Sequence, residues 1–122
     1  MEYKTAKIVG TYGGPVFVTP TEAKPYIACL VGGGIDPVAK KIAELTGGQT
    51  VDLMKKGIVA KQMACVVTDC GGTARCAMYP SLGVKTINTI AVSNKGNLLG
   101  KAMTPDMYVS GVTPDNVTLV DS

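Results

Sequence analysis

The 122-residue sequence contains no histidine, and this absence limits the chemistry that the chain can perform by itself. Histidine is the commonest general base in enzymes and the commonest neutral metal ligand. A Ser-His-Asp or Cys-His hydrolase site therefore cannot be assembled from this chain alone. The four cysteines also lack the paired C-x-x-C spacing of a structural zinc site. We expect no metal ion and no other cofactor.

Aromatic residues and long apolar runs are also scarce. The chain has five Tyr, one Phe and no Trp, so its core must be built mainly from aliphatic side chains. No apolar run approaches the ~20 residues of a membrane-spanning helix, and the first residues lack the apolar region of a signal peptide. These features predict a cytoplasmic location. The formal charge of +3 is spread along the sequence, which argues against a nucleic-acid partner.

The sequence does contain apolar, β-prone runs that alternate with a helical pattern. Residues 26–31 and 63–68 have the continuous apolar pattern of strands buried on both faces, and residues 84–92 are strongly β-prone. Between the first two runs, apolar residues recur at helical spacing from Asp36, which suits the helix N-cap, to Gly47, which suits the C-terminal cap. The alternation predicts an α/β fold, a single layered domain with a mostly parallel central sheet and flanking helices.

Weaker patterns complete this domain, which we expect to span residues 1–122. They predict a hairpin within 3–19, a strand at 50–54, a helical turn at 75–79, a short helix at 98–103, and terminal strands at 107–109 and 117–120 with Gly111, Pro114 and Asp115 in the turn between them.

Two glycine-rich loops follow predicted strands, and ligands of parallel sheets bind beyond the carboxyl ends of the strands. The first loop runs from Gly32 to Gly34. Either an anion site at a helix start or a tight strand-to-helix turn explains its glycines. The second loop runs from Cys70 to Arg75, and it carries the residues best suited to chemistry.

Cys70 is predicted to begin this loop at a strand-to-helix junction, where backbone N–H groups and the helix dipole favour a thiolate. The glycines after it let several N–H groups converge on one anion, and Arg75 adds a bidentate guanidinium. We therefore predict that Cys70 is a nucleophile that carries a phosphoryl group, with Arg75 as the second catalytic residue. The predicted phosphate-binding residues are Gly71, Gly72, Thr73, Ala74 and Cys76.

Other interpretations of this loop stay open on residue chemistry alone. A cysteine-dependent phosphatase uses a similar loop with one more residue before its arginine, and a sulfur-transfer or dithiol protein would pair Cys70 with Cys76. A glycine-rich turn that begins with a buried cysteine is the purely structural explanation. Cys29 and Cys65 lie within apolar strands, so we expect both to serve packing. For Asp69 we expect hydrogen bonds to loop N–H groups at the strand end.

The loop also resembles a known family. Residues 67–80, Val-Thr-Asp-Cys-Gly-Gly-Thr-Ala-Arg-Cys-Ala-Met-Tyr-Pro, are similar to the cysteine loop of the glucitol/sorbitol-specific enzyme II B domain of the bacterial phosphotransferase system, the N-terminal part of its IIBC component. The resemblance covers most of the chain. Residues 13–15, 43–47, 85–88 and 107–112 are similar to the family's N-terminal turn, the end of its first helix and its later strands.

The resemblance implies a function and partners. In this family the B domain accepts a phosphoryl group from a phosphohistidine on the A component (IIA). It passes the group to sorbitol while the membrane-embedded C component (IIC) imports this polyol. Cys70 would then be the phosphocysteine, and Arg75 with the loop N–H groups would stabilise the phosphate. The histidine that this chain lacks would lie on the A component.

The resemblance also implies a location and an alternative. The chain would lie at the inner face of the membrane through the C component, either as a free B subunit or as a domain excised from a membrane protein. No metal or nucleotide is implied. A non-catalytic regulatory domain of the same fold is the alternative function.

Overall fold

The structure, a computed structural model, describes residues 3–31, 35–53, 55, 57–69, 83–90 and 107–120. These residues form two β-sheets and one α-helix. In chain order the strands are β1 (Ala6–Ile8), β2 (Tyr12–Gly13), β3 (Val16–Val18), β4 (Tyr26–Leu30), β5 (Gln49–Asp52), β6 (Met63–Thr68), β7 (Lys85–Asn88), β8 (Tyr108–Ser110) and β9 (Val117–Leu119). The helix α1 (Pro37–Thr46) lies between β4 and β5, and short 3-10 helices cover Ala60–Gln62 and Pro114–Asn116.

The main sheet has the order β2-β8-β7-β6-β4-β5. Its last five strands are parallel, and only β2 is antiparallel to its neighbour β8. The predicted α/β class with a mostly parallel central sheet is therefore confirmed. Strand β6 has the predicted limits, and β4, β5 and β7 lie within or beside the predicted runs. The apolar run of β4 is buried in its middle three residues, as expected for a central strand.

Helix α1 begins and ends where the sequence predicts. The Asp36 carboxylate accepts a 2.8 Å hydrogen bond from the Val38 N–H and so caps the first turn. Gly47 adopts the left-handed conformation at φ 85°, which glycine enters without strain, and its N–H donates to the carbonyl of Ala43. Val38 and Ile42 are among the residues that α1 buries. The helix therefore has one apolar face and packs it on the core.

The second sheet has the order β3-β1-β9 and is antiparallel. The pairing of β1 with β3 confirms the hairpin predicted within residues 3–19, although β2 leaves the hairpin to join the main sheet. The terminal strands β8 and β9 belong to different sheets, and the chain changes sheet through Gly111 at φ 71° and the 3-10 turn Pro114–Asn116. The predicted turn residues thus connect two sheets.

Apolar side chains fill both faces of the main sheet. On one face, α1 and the inner side of the three-stranded sheet share a single core with β4, β6, β7 and β8. On the other face lies a smaller cluster, which contains Ala28, Val51, Met63, Val66 and Val84.

The segments 75–79 and 98–103, predicted to be helical, lie outside the described residues. So does the glycine-rich loop Gly32 to Gly34. Of the predicted 84–92 run, β7 covers Lys85–Asn88, residues 89–90 form a bend, and residues 91–92 lie outside the described residues.

Candidate functional site

The predicted loop residues themselves, from Cys70 to Cys76, lie outside the residues that the structure describes. This applies to the predicted catalytic pair Cys70 and Arg75 and to all the predicted phosphate-binding residues, Gly71 to Ala74 and Cys76. The structure does describe the strand that leads into the loop and the neighbouring strand ends. The site is therefore defined here by the elements that surround the start of the loop.

Strand β6 lies in the middle of the main sheet, and the chain continues from its carboxyl end into the loop. It pairs in parallel with β4 on one side and with β7 on the other. Its last residue, Thr68, is buried, and the next residue, Asp69, is exposed. The chain thus reaches the surface at Asp69, one residue before Cys70. The carboxyl end of this central parallel strand lies at the edge where ligands of such sheets bind.

The strand order adds a second reason to place a ligand there. From β4 the chain crosses through α1 to β5 on one side of the sheet, whereas from β6 it proceeds to β7 on the other side. The switch point lies between β4 and β6, where diverging connections leave a crevice. Leu30 of β4 and Thr68 of β6 are paired in register. Both glycine-rich loops therefore leave from adjacent strand ends at this switch point.

A row of buried polar residues crosses the sheet at the same edge. Thr68 on β6 is paired with Asn88 on β7, and Asn88 is paired with Ser110 on β8. Thr68 is 1% exposed, and Asn88 and Ser110 are fully buried. Because strand side chains alternate, all three lie on the face opposite Val67 and Ile87, whose side chains join the helix-side core. We call these three residues the polar row.

Asn88 is held in a fixed orientation within the polar row. Its Nδ2 donates to the hydroxyl of Tyr108 over 3.2 Å, and its Oδ1 accepts from the N–H of Ile90 over 3.1 Å. The backbone ties the same strand ends together, since the Thr89 N–H donates to the carbonyl of Thr68 over 2.9 Å. The carboxyl ends of β6 and β7 are therefore rigidly joined next to the start of the loop.

The hydroxyl of Thr68 differs from its neighbours in the row. Its Oγ1 is buried and has no hydrogen-bond partner among the residues that the structure describes. Burial of a hydroxyl without a hydrogen-bond partner costs about 1–3 kcal/mol relative to its exposure to water.

Sequence reasoning missed the polar row. Its only local signal is a polar residue at the end of each of three apolar strands, and the register that aligns them comes from tertiary structure.

The two described cysteines behave as predicted for packing residues. Both Cys29 and Cys65 are free thiols with no exposed surface. Burial raises the pKa of the Cys65 thiol to about 12. Burial also raises the pKa of Cys29, and the carboxylates of Asp36, Asp52 and Asp69 act in the same direction. Neither thiol is suited to form a thiolate near neutral pH.

The amino end of α1, close to the switch point, already holds a carboxylate. Asp36 caps the helix with its own side chain, as described above, and its carboxylate occupies the position that an anionic ligand would take.

No group of three or more His, Cys, Asp or Glu side chains suited to a metal ion occurs in the described part of the chain. Within the same residues, no helix has both the length and the apolar character needed to cross a bilayer.

Comparisons with known proteins match nearly the whole chain. The family model described as "Sorbitol phosphotransferase enzyme II N-terminus" matches residues 3–122. The "PTS system glucitol/sorbitol-specific EIIB component" of Clostridium beijerinckii is 40% identical in an alignment 125 residues long that covers 99% of this chain. This chain spans 37% of that relative's length. No solved structure matches.

A family match over residues 3–122 defines the class of protein: a phosphotransferase enzyme II, to whose N-terminal part the chain corresponds. The chain belongs to the sorbitol phosphotransferase enzyme II family, and it matches the N-terminal part of that enzyme. The resemblance found in the sequence is thereby confirmed.

Proposed function

We propose that residues 1–122 act as one B-type domain that carries a phosphoryl group on Cys70 for a glucitol/sorbitol phosphotransferase system. The observation that carries this proposal is the position of Cys70 in the chain. It comes two residues after Thr68, the last residue of β6, and β6 ends at the carboxyl edge of the main sheet beside the switch point. The family match over residues 3–122 supports the same function.

The first chemical step transfers the phosphoryl group onto sulfur. The Cys70 thiolate attacks the phosphorus of a phosphohistidine on the A component, a P–S bond forms and the P–N bond breaks. The leaving imidazole then takes up a proton. Residues 1–122 contain no histidine, so the donor imidazole lies outside them, on the A component. Catalysis rests on alignment of the two nucleophiles and on neutralisation of the phosphoryl charge by Arg75 and loop N–H groups.

The second step transfers the phosphoryl group to the polyol. A hydroxyl oxygen of sorbitol attacks phosphorus, the P–S bond breaks, and the hydroxyl proton passes to solvent while sulfur leaves as a thiolate. Sorbitol reaches the domain through the membrane-embedded C component. The domain therefore works on the cytoplasmic side of the membrane, between the phosphorylated A component and the C component.

A radiolabel transfer experiment tests this function. The A component is labelled on its histidine with ³²P and mixed with the full chain, and protein-bound label and free phosphate are followed with time. The proposal predicts rapid transfer to the chain, no transfer to Cys70→Ser, and transfer to Cys29→Ser and Cys65→Ser wherever these variants fold. Without polyol and C component, the label should stay on the protein.

The same time course separates the alternatives. A cysteine-dependent phosphatase would release the label as inorganic phosphate in a reaction that depends on Cys70 and needs no polyol. A regulatory domain would accept no label at all. Either result would exclude the carrier function.

A further inference from the structure

Exposed apolar side chains are unevenly spread over the part of the chain that the structure describes. The large apolar residues that stay exposed there are Val9, Tyr12, Phe17, Val59, Ile90 and Leu119. Two of them, Tyr12 at 42% and Ile90 at 44%, lie beside the polar row at the carboxyl edge of the main sheet. This is the edge at which β6 ends.

Strand register places Tyr12 in line with the polar row. Tyr12 of β2 is paired with Ser110 of β8, which is paired in turn with Asn88 of β7. Directly paired residues share a face of the sheet, so the Tyr12 side chain lies on the face of the polar row. The line crosses β6, β7, β8 and β2, and at a strand spacing of about 4.8 Å Tyr12 lies roughly 14 Å from Thr68.

Ile90 lies closer to β6 at the same edge. It comes two residues after Asn88, the last residue of β7, and its N–H donates to the Asn88 Oδ1 over 3.1 Å. This hydrogen bond holds the Ile90 backbone near the face that carries the polar row. The Asn88 side chain is fixed in turn by the Tyr108 hydroxyl, so Ile90 has a firm support. We call Tyr12 and Ile90 the carboxyl-edge patch.

The size of a protein interface indicates what covers this patch. A stable complex buries about 800 Å² on each partner, which corresponds to a disc roughly 30 Å across. A donor protein that delivers a phosphoryl group just beyond the end of β6 is centred near Thr68. A disc of that size then extends over the ends of β7, β8 and β2 and covers both patch residues. Tyrosine is also among the residues that contribute most to binding energy at interfaces.

We propose that Tyr12 and Ile90 form part of the docking surface for the phosphohistidine-bearing A component. This inference rests on the proposed function and assigns to that function the surface that binds the donor protein. Because the donor imidazole lies outside residues 1–122, the donor protein has to be bound anew for each transfer. A patch of two exposed apolar side chains suits a partner that binds and leaves in this way. Both residues bind the partner and take no part in the transfer itself.

The test replaces each patch residue and a matched residue elsewhere. Tyr12→Thr is compared with Phe17→Thr, because Phe17 is also aromatic and 42% exposed but lies on the second sheet. Ile90→Thr is compared with Val59→Thr, because Val59 is 61% exposed and precedes the 3-10 turn at the opposite, amino end of β6. Threonine keeps the β-propensity of these positions, and serine replaces it in any variant that urea unfolding shows to be unfolded.

For each protein, the initial rate of transfer from the ³²P-labelled A component is measured against the concentration of that component. The inference predicts that KM for the A component rises about 5- to 30-fold in Tyr12→Thr and in Ile90→Thr, with kcat nearly unchanged. Phe17→Thr and Val59→Thr should keep the wild-type KM. Sedimentation velocity with the unphosphorylated A component should show weaker binding in the patch variants alone.

Several results would overturn the inference. A wild-type KM in both patch variants would show that the A component docks elsewhere, and an equal rise in the matched variants would show an effect common to exposed apolar residues. An unchanged KM with slower transfer from the labelled chain to sorbitol in membranes that contain the C component would assign the patch to that component. An unchanged KM with loss of a dimer of the chain would assign it to a second copy.

The two measurements also separate this inference from the proposed function. If the wild type binds the A component but accepts no label, the proposed function fails, and the sedimentation data still decide whether the patch binds the A component. If the wild type accepts label and the patch variants behave like their matched controls, the inference fails and the proposed function stands. A wild type that neither binds the A component nor accepts label would contradict both.

Discussion

The backbone N–H of Asp36 donates a 3.2 Å hydrogen bond to the Sγ of Cys29. This thiol therefore lies at the amino end of a helix and receives an N–H group, an arrangement that commonly lowers a cysteine pKa. Its pKa is nevertheless raised, because burial outweighs the single hydrogen bond and the nearby carboxylates add to the effect. At Cys29, therefore, the position at a helix start does not outweigh burial, and the thiol form is favoured.

The cysteines of the core should resist alkylation in the folded protein. Cys29 and Cys65 are fully buried with raised pKa values, so iodoacetamide at neutral pH should modify them at least ~100-fold more slowly than Cys70. Peptide mapping after timed alkylation measures the rates, and a sample unfolded in urea serves as the control in which all four cysteines react. Equal rates for Cys29 and Cys70 in the folded protein would contradict the assignment.

Cys65 should make stability depend on pH in the alkaline range. Burial raises its pKa from 9.0 to about 12, partly opposed by the Lys85 ammonium group. Below pH 9 both the folded and unfolded thiols keep their protons, and the stabilisation is fully present. Between about 9 and 12 only the unfolded thiol ionises, so the free energy of unfolding should fall by up to about 1.4 kcal/mol per pH unit.

Urea unfolding across this pH range measures the effect of Cys65. Lysine and tyrosine residues titrate in the same range, so Cys65→Val, which removes the thiol and keeps a similar apolar volume, is the control. Its stability should fall less steeply with pH than that of the wild type. Parallel curves would show that Cys65 titrates normally.

We expect residue 10 to require glycine, because its backbone packs closely against β8 beside the polar row. A Cβ at Gly10 would overlap the carbonyl oxygen of Ser110 and lie 2.9 Å from the Cγ2 of Val109. Gly10→Ala should therefore destabilise the protein by about 1–3 kcal/mol, as overpacking of a rigid site does. Gly57 is the matched control, because a Cβ there meets no atom within 4 Å. Chemical denaturation should show little change or a slight gain for Gly57→Ala.

The contact between Asn88 and Tyr108 should couple the two residues energetically. Removal of either partner, as Asn88→Ala or Tyr108→Phe, should lower the free energy of unfolding by about 1–3 kcal/mol, since it leaves a buried polar group with one partner fewer. A double-mutant cycle should give an interaction energy of at least about 0.5 kcal/mol. Strictly additive losses would show that this hydrogen bond does not stabilise the row.

The sequence predicted the local elements well, because their signals are local. The burial pattern of β6 and the caps Asp36 and Gly47 each depend on a few neighbouring residues. The division into two sheets was not foreseen, since short strands such as β1 and β9 carry no signal of which partner they choose. The polar row has the same origin. Thr68 and Asn88 are 20 residues apart in the sequence, and only strand register brings them together.

The candidate site shows the same division between local and long-range information. Composition and spacing indicated a nucleophilic cysteine after a buried strand, and the resemblance to a family gave it a function. The switch point next to β6 depends on the order in which the strands assemble, and that order is a property of the whole sheet.

The measurement that tests the central claim most directly is the location of the phosphoryl group after one round of transfer. The full chain is mixed with the phosphorylated A component, quenched without acid and analysed by intact mass and tandem mass spectrometry. The account predicts one phosphoryl group per chain, on Cys70, absent from Cys70→Ser and retained in Cys76→Ser. A phosphoryl group on another residue, or one that persists in Cys70→Ser, would contradict it.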